Sequence, residues 1–296
     1  PCVMPAVIAA FMRLMDCYML PFLPEKGVEP DALKEEAARE AIPLIVHEVF
    51  FLSIIWSVGG TCTSAGRVRF DAFLREKMKE LNCKVRIPNG ALVYDFTFDA
   101  GTPSAPGTKQ WKKWMATVPE YNIDAKTDFK AEFNSIIVPT AASTCYTALL
   151  DTLIRGNAHT LVVGPTGTAK SVVVTQKLTR LDPKYEPIIM AFSAQSSANQ
   201  TQDILDGKFE KRRQGTDKDT GLPFTMWGPM LGKQFVCFLD DFNMPKREHF
   251  GAQPPIELMR QMVGMGGWYD RKTFRIKRIV GGGHSYLGRR ALLHMA

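Results

Sequence analysis

The stretch HTLVVGPTGTAKS, residues 159–171, decides the fold that the sequence predicts. Its first half is a short apolar run of the kind that forms a buried parallel strand. Its second half, residues 164–171, follows the pattern G-x-x-x-x-G-K-[S/T] except at the second glycine, where Ala169 stands. In that pattern a strand ends, glycines turn the backbone N–H groups inward, and the next helix begins with its positive end at the phosphates. We therefore predict a nucleotide-binding loop here, between a strand and a helix.

The pattern assigns a role to each position of this loop. Lys170 is expected to reach the β- and γ-phosphates, and the Ser171 hydroxyl is expected to bind Mg²⁺. The methyl group of Ala169 should cost about 1 kcal/mol, because the backbone passes close to the phosphates at a position that favours glycine. The predicted nucleotide-binding residues of the loop are Gly164, Pro165, Thr166, Gly167, Thr168, Ala169, Lys170 and Ser171.

A second motif, which ends in two acidic residues, follows the loop about 70 residues downstream, in FVCFLDD at residues 235–241. Asp240 is positioned to hold Mg²⁺, and Asp241 to orient or deprotonate an attacking water, so Asp241 and Lys170 are the predicted catalytic residues. The alternative is that two adjacent acids merely begin a turn that continues through Asn243 and Pro245. The combination with the phosphate loop favours the magnesium site.

The surrounding sequence predicts an α/β fold. The apolar runs SIIVPT, HTLVVG, PIIMAFS and FVCFLDD read as strands, separated by helices over AASTCYTALLDTLIRG, from Lys170 to about Arg180 and from Ala198 to Arg213. Strand, helix and strand in this order build a right-handed parallel sheet. Helical spacing dominates residues 1–85, and ALVYDFTFD then alternates like a strand. The predicted division is a helical subdomain at 1–88, an extension at 89–134, an incomplete P-loop domain at 135–280 and an atypical tail at 281–296.

Composition limits the classes of function. The 296 residues include 45% hydrophobic and 23% charged residues, with a formal net charge of +7 but no dense basic tract, so we expect no nucleic-acid binding. The six cysteines form no C-x-x-C pair, which indicates a reducing, cytosolic compartment without a disulfide framework or zinc site.

The apolar run at 49–58 is shorter than the roughly 20 residues that span a bilayer, so we expect no membrane segment. The chain lacks an initiator Met, and we expect it to be a piece of a longer protein.

At this point the motifs resemble those of a known family, the dynein heavy chains, and within them the third of the six AAA+ modules of the motor ring. The resemblance rests on IIVPT, LVVGPTGTAKS, FSAQSSANQTQDIL, FLDDFNMPKREHFGAQPPIELMRQ and GGWYDRK, and it covers nearly all of residues 45–275. The segments IIWSVGGT, RFDAFLRE, VYDFTFD and WMATVPEY resemble the helical lid of the second module and its connection to the third. The Asp-Asp ending and the NMP sequence are more similar to axonemal than to cytoplasmic heavy chains.

The resemblance implies a P-loop NTPase (AAA+) sheet preceded by a helical lid. It implies that ATP or ADP with Mg²⁺ occupies the site, that the site regulates minus-end-directed microtubule motility, and that residues 138–140 line the adenine: Val138, Pro139 and Thr140. It also implies that the partners are neighbouring AAA+ modules of the same heavy chain, other dynein chains and, through other segments, microtubules. The expected location is the cytoplasm and cytoskeleton, in the axoneme of a cilium or flagellum.

Two features leave alternatives open. Asp241 is one methylene shorter than the glutamate usual in AAA+ ATPases, and the tail FRIKRIVGGGHSYLGRRALLHMA does not align with the sensor strand and arginine loop of the family. Hydrolysis by this chain is therefore uncertain, and a structural ring segment that binds nucleotide without hydrolysing it is the alternative. A DNA-remodelling AAA+ ATPase, suggested by the net charge and the AKS ending, would require DNA-contacting hairpins that the sequence does not show.

Overall fold

A computed structural model describes residues 4–23, 36–102, 105–106, 108–121, 136–216, 221, 223–280 and 291–295. The chain forms two compact units, Pro1–Thr152 and Leu153–Ala296. The boundary predicted between residues 134 and 135 lies outside the described residues. The finer division into four segments stays a prediction.

Within the described residues the first unit contains three helices, most of a fourth and two small hairpins. The helices are α1 (Met4–Met19), α2 (Glu36–Ser57) and α3 (Ser64–Glu80). The strand β1 (Phe96–Phe98) pairs antiparallel with β4 (Trp111–Lys113), and β2 (Gly101–Thr102) pairs antiparallel with β3 (Ala105–Pro106). Short 3-10 turns lie at Leu20–Phe22, Gly59–Thr61, Val93–Asp95 and Trp114–Thr117. Helix α4 (Ala141–Arg155) contains the boundary between the units.

The core of the first unit joins α2 and α3 to the segment that follows them. Its buried residues are Ile55, Leu74, Val85, Ile87, Val93, Tyr94 and Phe96. Arg75 of α3 fixes that segment, because its guanidinium donates five hydrogen bonds of 3.0–3.2 Å to Asp71, to Asn89 and to the carbonyls of residues 87, 88 and 91. The helical prediction for this part of the chain is confirmed within the described ranges.

One stretch, Met4–Phe22, is long and apolar enough to cross a membrane by length and composition alone, with a mean hydropathy of 1.3. Helix α1 within this stretch packs on α2, where the rings of Phe11 and Phe50 meet edge to face at 5.2 Å. The buried hydroxyl of Ser53 on α2 also contacts the sulfur of Met15 at 3.9 Å. Helix α1 is therefore a partner of α2 in this unit, and its exposed side chains are both apolar, as Ile8 and Met12 are, and charged, as Arg13 and Asp16 are.

The second unit is an α/β structure built on a parallel sheet, as predicted. The sheet has the order β5 (Thr160–Val162), β12 (Ala291–Met295), β9 (Gln234–Asp240) and β6 (Tyr185–Ala191), with every neighbouring pair parallel. Its helices are α5 (Lys170–Thr179), α6 (Ala198–Asp206) and α7 (Pro254–Met265). Strand, helix and strand alternate along the chain, so the connections run along the faces of the sheet.

A second sheet, which the sequence patterns do not predict, completes this unit. It has the order β10 (Gly267–Tyr269), β11 (Ile276–Ile279), β8 (Pro223–Gly228) and β7 (Glu210–Thr216). Core residues of both sheets and of α6 and α7 pack together, among them Leu205, Leu239, Met259, Trp268 and Ile279. The two sheets therefore share one hydrophobic core.

Two predicted elements are wrong. The helix expected from Ala198 to Arg213 ends at Asp206, and Glu210–Thr216 forms strand β7 instead, because it pairs with β8. The N–H of Gly207 closes the last turn of the helix on the carbonyl of Asp203 at 3.0 Å. The strand expected at SIIVPT is absent from the described residues 136–140, which lead as irregular chain into α4.

Candidate functional site

The phosphate loop lies where the sequence places it, between the end of β5 at Val162 and the start of α5 at Lys170. Two of its residues have left-handed backbone conformations. Gly167 has φ 80°, and Ala169, the N-cap of α5, has φ 59° and ψ 23°. The position of the missing glycine therefore does require the conformation that glycine adopts most readily, and alanine adopts it at a cost.

Lys170 folds back over the loop. Its ammonium donates hydrogen bonds to the carbonyl oxygens of Gly164 at 2.7 Å and Pro165 at 2.9 Å. The hydroxyl of Thr168 donates to the same Pro165 carbonyl at 2.8 Å, which closes the turn. Residues 165–169 are exposed, whereas Lys170 and Ser171 are half-buried. The loop thus offers its backbone to solvent, and phosphate oxygens would compete with two carbonyls for the ammonium.

The acidic motif lies at the end of a strand whose middle residues are buried. Residues 235–239 of β9 are all at most 5% exposed, Asp240 is half-buried, and Asp241 is exposed. Asp241 has a left-handed backbone with φ 51°, and its N–H donates to Asp240 Oδ1 at 2.9 Å. This bond orients the Asp240 carboxylate and leaves Oδ2 without a hydrogen-bond donor among the described residues.

The sheet register brings the two motifs to the same edge. Val162 pairs with Met295 of β12, and His294, the residue before Met295, pairs with Leu239 of β9. Asp240 therefore lies in the same row across the sheet as Val162, with β12 between them. Because the strands are parallel, the loop after β5 and the carboxylate that ends β9 lie at the same edge of the sheet. Residues 164–171, Asp240 and Asp241 therefore share one end of the second unit.

The predicted adenine-lining residues lie in the first unit. Val138 is 57% exposed, and Thr140 is the residue before α4. Thr140 and Ser143 form a reciprocal cap, in which each side-chain oxygen accepts from the backbone N–H of the other residue at 2.8 and 3.1 Å. The structure gives Thr140 a capping role, and contact of Val138, Pro139 and Thr140 with an adenine ring stays a prediction.

The donors at the loop suit a magnesium ion bound together with phosphate. Mg²⁺ prefers oxygen ligands and is held in proteins by one or two side chains plus substrate phosphates. The Ser171 hydroxyl and the free Asp240 oxygen meet that requirement. Among the described residues no group of three or more His, Cys, Asp or Glu side chains forms a metal site.

Strand β12 is the part of the site that the sequence does not predict. It comes from the tail expected to be atypical, yet Ala291–Met295 occupies the position between the loop strand β5 and the acidic strand β9. Its only sequence signal is the short apolar run ALLHM, which lies more than 50 residues from its nearest pairing partner. The central position of the sheet between the two motifs is therefore filled by the tail.

These features define the class of the chain: a P-loop nucleotide-binding domain of the AAA+ type, preceded by a helical subdomain. Residues 125–282 match the family described as the P-loop containing dynein motor region. Residues 1–116 match the dynein heavy chain AAA lid domain. The chain belongs to the dynein heavy chain family, and the predicted resemblance is confirmed.

Curated relatives are axonemal heavy chains. The chain is 38% identical over 275 residues to dynein axonemal heavy chain 1 of Mus musculus, with 89% of this chain and 6% of the relative covered. It is 39% identical over 236 residues to dynein axonemal heavy chain 12 of the same species, covering 75% of this chain and 7% of the relative. It is also 35% identical over 263 residues to dynein axonemal heavy chain 3 of Homo sapiens, covering 83% and 6%. The chain therefore spans only a small part of the length of these relatives.

Proposed function

We propose that residues 164–171 bind ATP or ADP together with Mg²⁺ in an axonemal dynein heavy chain. The observation that supports this is the geometry of one sheet edge, where the phosphate loop and the Asp240 carboxylate end parallel strands separated by one strand. In this proposal the backbone N–H groups of the loop and Lys170 hold the phosphates, and Ser171 and Asp240 hold the ion. When bound, the ion neutralises phosphate charge and polarises the terminal phosphoryl group.

We further propose that the site is regulatory. Its nucleotide state would act on minus-end-directed motility along microtubules in the axoneme, through neighbouring AAA+ modules of the same heavy chain and in concert with other dynein chains. A role in hydrolysis is assigned to Asp241, whose carboxylate would orient or deprotonate the attacking water. Membership of the dynein heavy chain family gives no support to the DNA-remodelling alternative.

A second candidate function, nucleotide binding without hydrolysis, is favoured by the conformation of Asp241. The residue is exposed and left-handed, and its short side chain starts from a backbone that turns away from the strand. A displacement of about 1 Å from the productive position can cost about 100-fold in rate. Tight binding with slow turnover would be the result.

Binding is tested with a fluorescent ATP analogue titrated into the 296-residue chain in the presence of Mg²⁺. Lys170→Ala should weaken binding at least tenfold, because it removes the ammonium that meets the phosphates. The matched control is Lys272→Ala, an exposed lysine of the same unit that lies in the β10–β11 turn, which should bind like the unmodified chain. Equal affinity of all three proteins would refute a phosphate role for the loop.

Hydrolysis is tested separately by single-turnover assays on an intact heavy chain. Asp241→Asn should abolish turnover at this site while keeping nucleotide binding if the site is an ATPase. Unchanged turnover in that variant would support the non-hydrolysing role. A microtubule gliding assay with heavy chains that carry Lys170→Ala then tests regulation. If the site is regulatory, the gliding speed should change although every other module is intact.

A further inference from the structure

A groove separate from the phosphate loop lies beside the carboxyl ends of β6 and β9. It has a volume of about 630 Å³, within the roughly 300–1,000 Å³ typical of ligand sites. One wall is formed by residues within 194–199, which follow β6, and the other by residues 246–249, which follow β9. Pro254 and Pro255 at the start of α7 close one side. None of the predicted nucleotide-binding or catalytic residues lines it.

Two unpaired cations line the wall formed by residues 246–249. Among the described residues, neither Lys246 nor Arg247 has a side-chain hydrogen bond or ion pair. Other basic side chains of this unit do find carboxylates, as Arg260 does with Glu257 at 2.7 Å. Glu248 is the one carboxylate in the lining, so two cations and one carboxylate leave the groove with a net positive charge. The positive end of α6 lies in the opposite wall and adds to this potential.

The walls of the groove are fixed by backbone hydrogen bonds. The N–H of Lys246 donates across the groove to the carbonyl of Ala194 at 3.3 Å, and the N–H of Glu248 donates to the carbonyl of Ala252 at 2.8 Å. The amide of Gln253 donates to the carbonyl of the buried Pro245 at 2.6 Å. A ligand would therefore enter a preformed site, which lowers the entropic cost of binding.

An exposed apolar side chain follows the lining residue His249 in the chain. Phe250 is 94% exposed and contacts the ring of His249 edge to face at 4.8 Å. An aromatic ring held in solvent beside unpaired basic side chains has the composition of a protein interface, in which aromatic residues and arginine are enriched. The combination calls for a ligand with both negative charge and an apolar side chain.

We propose that this groove, which we call the basic groove, docks an acidic peptide segment of a partner protein. Carboxylates of that segment would pair with Lys246 and Arg247, and an apolar side chain would cover Phe250. Two cations beside a glutamate are few for a nucleic acid, whose binding proteins typically make roughly 6–10 phosphate contacts. The open shape and side-chain walls favour an extended peptide over a single small anion.

The test is a titration of a fluorescein-labelled ten-residue peptide, eight Glu with two central Phe, into the 296-residue chain at low salt, followed by anisotropy. The double variant Lys246→Glu with Arg247→Glu should weaken binding at least tenfold. The matched control is Lys272→Glu with Arg275→Glu, which changes net charge equally on the exposed β10–β11 turn and should weaken binding less than threefold. Circular dichroism confirms that each variant is folded.

A second variant does not change the charge. Phe250→Ala should weaken the Phe-containing peptide about threefold to tenfold and leave an all-Glu peptide unaffected, since only the former uses the ring. The proposal is overturned if the peptide does not bind, if both double variants lose affinity equally, or if Phe250→Ala changes neither peptide. It is also overturned if inorganic phosphate or a single-stranded oligonucleotide displaces the peptide at equal concentration, because the groove would then be a general anion site.

Discussion

Replacing Ala169 by glycine tests whether the left-handed backbone of the phosphate loop is strained. Ala169 has φ 59° and ψ 23°, and a left-handed conformation costs a non-glycine residue about 1–2 kcal/mol. Glycine removes that cost but makes the unfolded chain more flexible, which opposes the gain by about 0.4–1 kcal/mol. The net expectation is a stabilisation of about 0.5–1 kcal/mol, or a rise in melting temperature of about 1–4 °C for a protein of this size.

The assay is thermal unfolding followed by circular dichroism, with two comparison variants. Ala169→Val should lower the melting temperature, because a β-branched side chain at positive φ is more strained than alanine. Ala198→Gly, at the first helical residue of α6, should lower it slightly, because there glycine brings only the entropic cost. A lower melting temperature for Ala169→Gly than for the unmodified chain would refute the strain argument.

Three further predictions concern stability. Lys277→Met should destabilise the second unit by about 3 kcal/mol, measured by urea unfolding. The buried ammonium pairs with Asp206 at 2.7 Å and Asp270 at 2.9 Å, and both carboxylates would lose this cation. The hydrogen bond from Lys277 lowers the pKa of Asp270 in the folded protein. The ionised Asp270 should therefore stabilise the fold above its unfolded pKa of about 4, and this stabilisation should be lost as the pH falls below that value. Urea unfolding over a pH series should show the loss, and Asp270→Asn should make it smaller. Arg75→Lys should cost about 2 kcal/mol in urea unfolding although the charge is kept, because lysine cannot reproduce five hydrogen bonds in a planar fork; an unchanged midpoint would contradict this.

Local patterns predicted the parts of the fold that local interactions determine. The phosphate loop, its flanking strand and helix, and the buried strand that ends at Asp240 all follow from short-range spacing and apolar runs. The sequence favours helix where strand β7 lies, because Lys211 and Arg212 are good helix formers and only pairing with β8 overrides that preference. Strand β12 was missed since its neighbours in the sheet lie far back in the chain.

In the candidate site, too, local features could be predicted from the sequence and contacts between distant segments could not. Its residues could be named from the sequence because the loop pattern and the Asp-Asp ending are contiguous. The positions of the loop and the acidic residues relative to each other could not be predicted, because they depend on which strand lies between β5 and β9 in the sheet. The basic groove has no sequence signature for a similar reason. Lys246 and Ala194 are 52 positions apart, and only the parallel pairing of β6 with β9 brings their segments together.

Ala169 and Asp241, the two residues that depart from the usual motifs, differ in how well their side chains suit the local backbone conformation. Both Ala169 and Asp241 are left-handed, at φ 59° and 51°, and both lie at the edge of the sheet where the phosphates are expected. Alanine is poorly suited to that conformation, whereas aspartate is among the residues that adopt it most readily after glycine. A glutamate at position 241 would lengthen the carboxylate but fit this backbone less well. The short acid therefore has a conformational reason at Asp241, and the strain at this edge is concentrated at Ala169, in the loop that would contact the nucleotide.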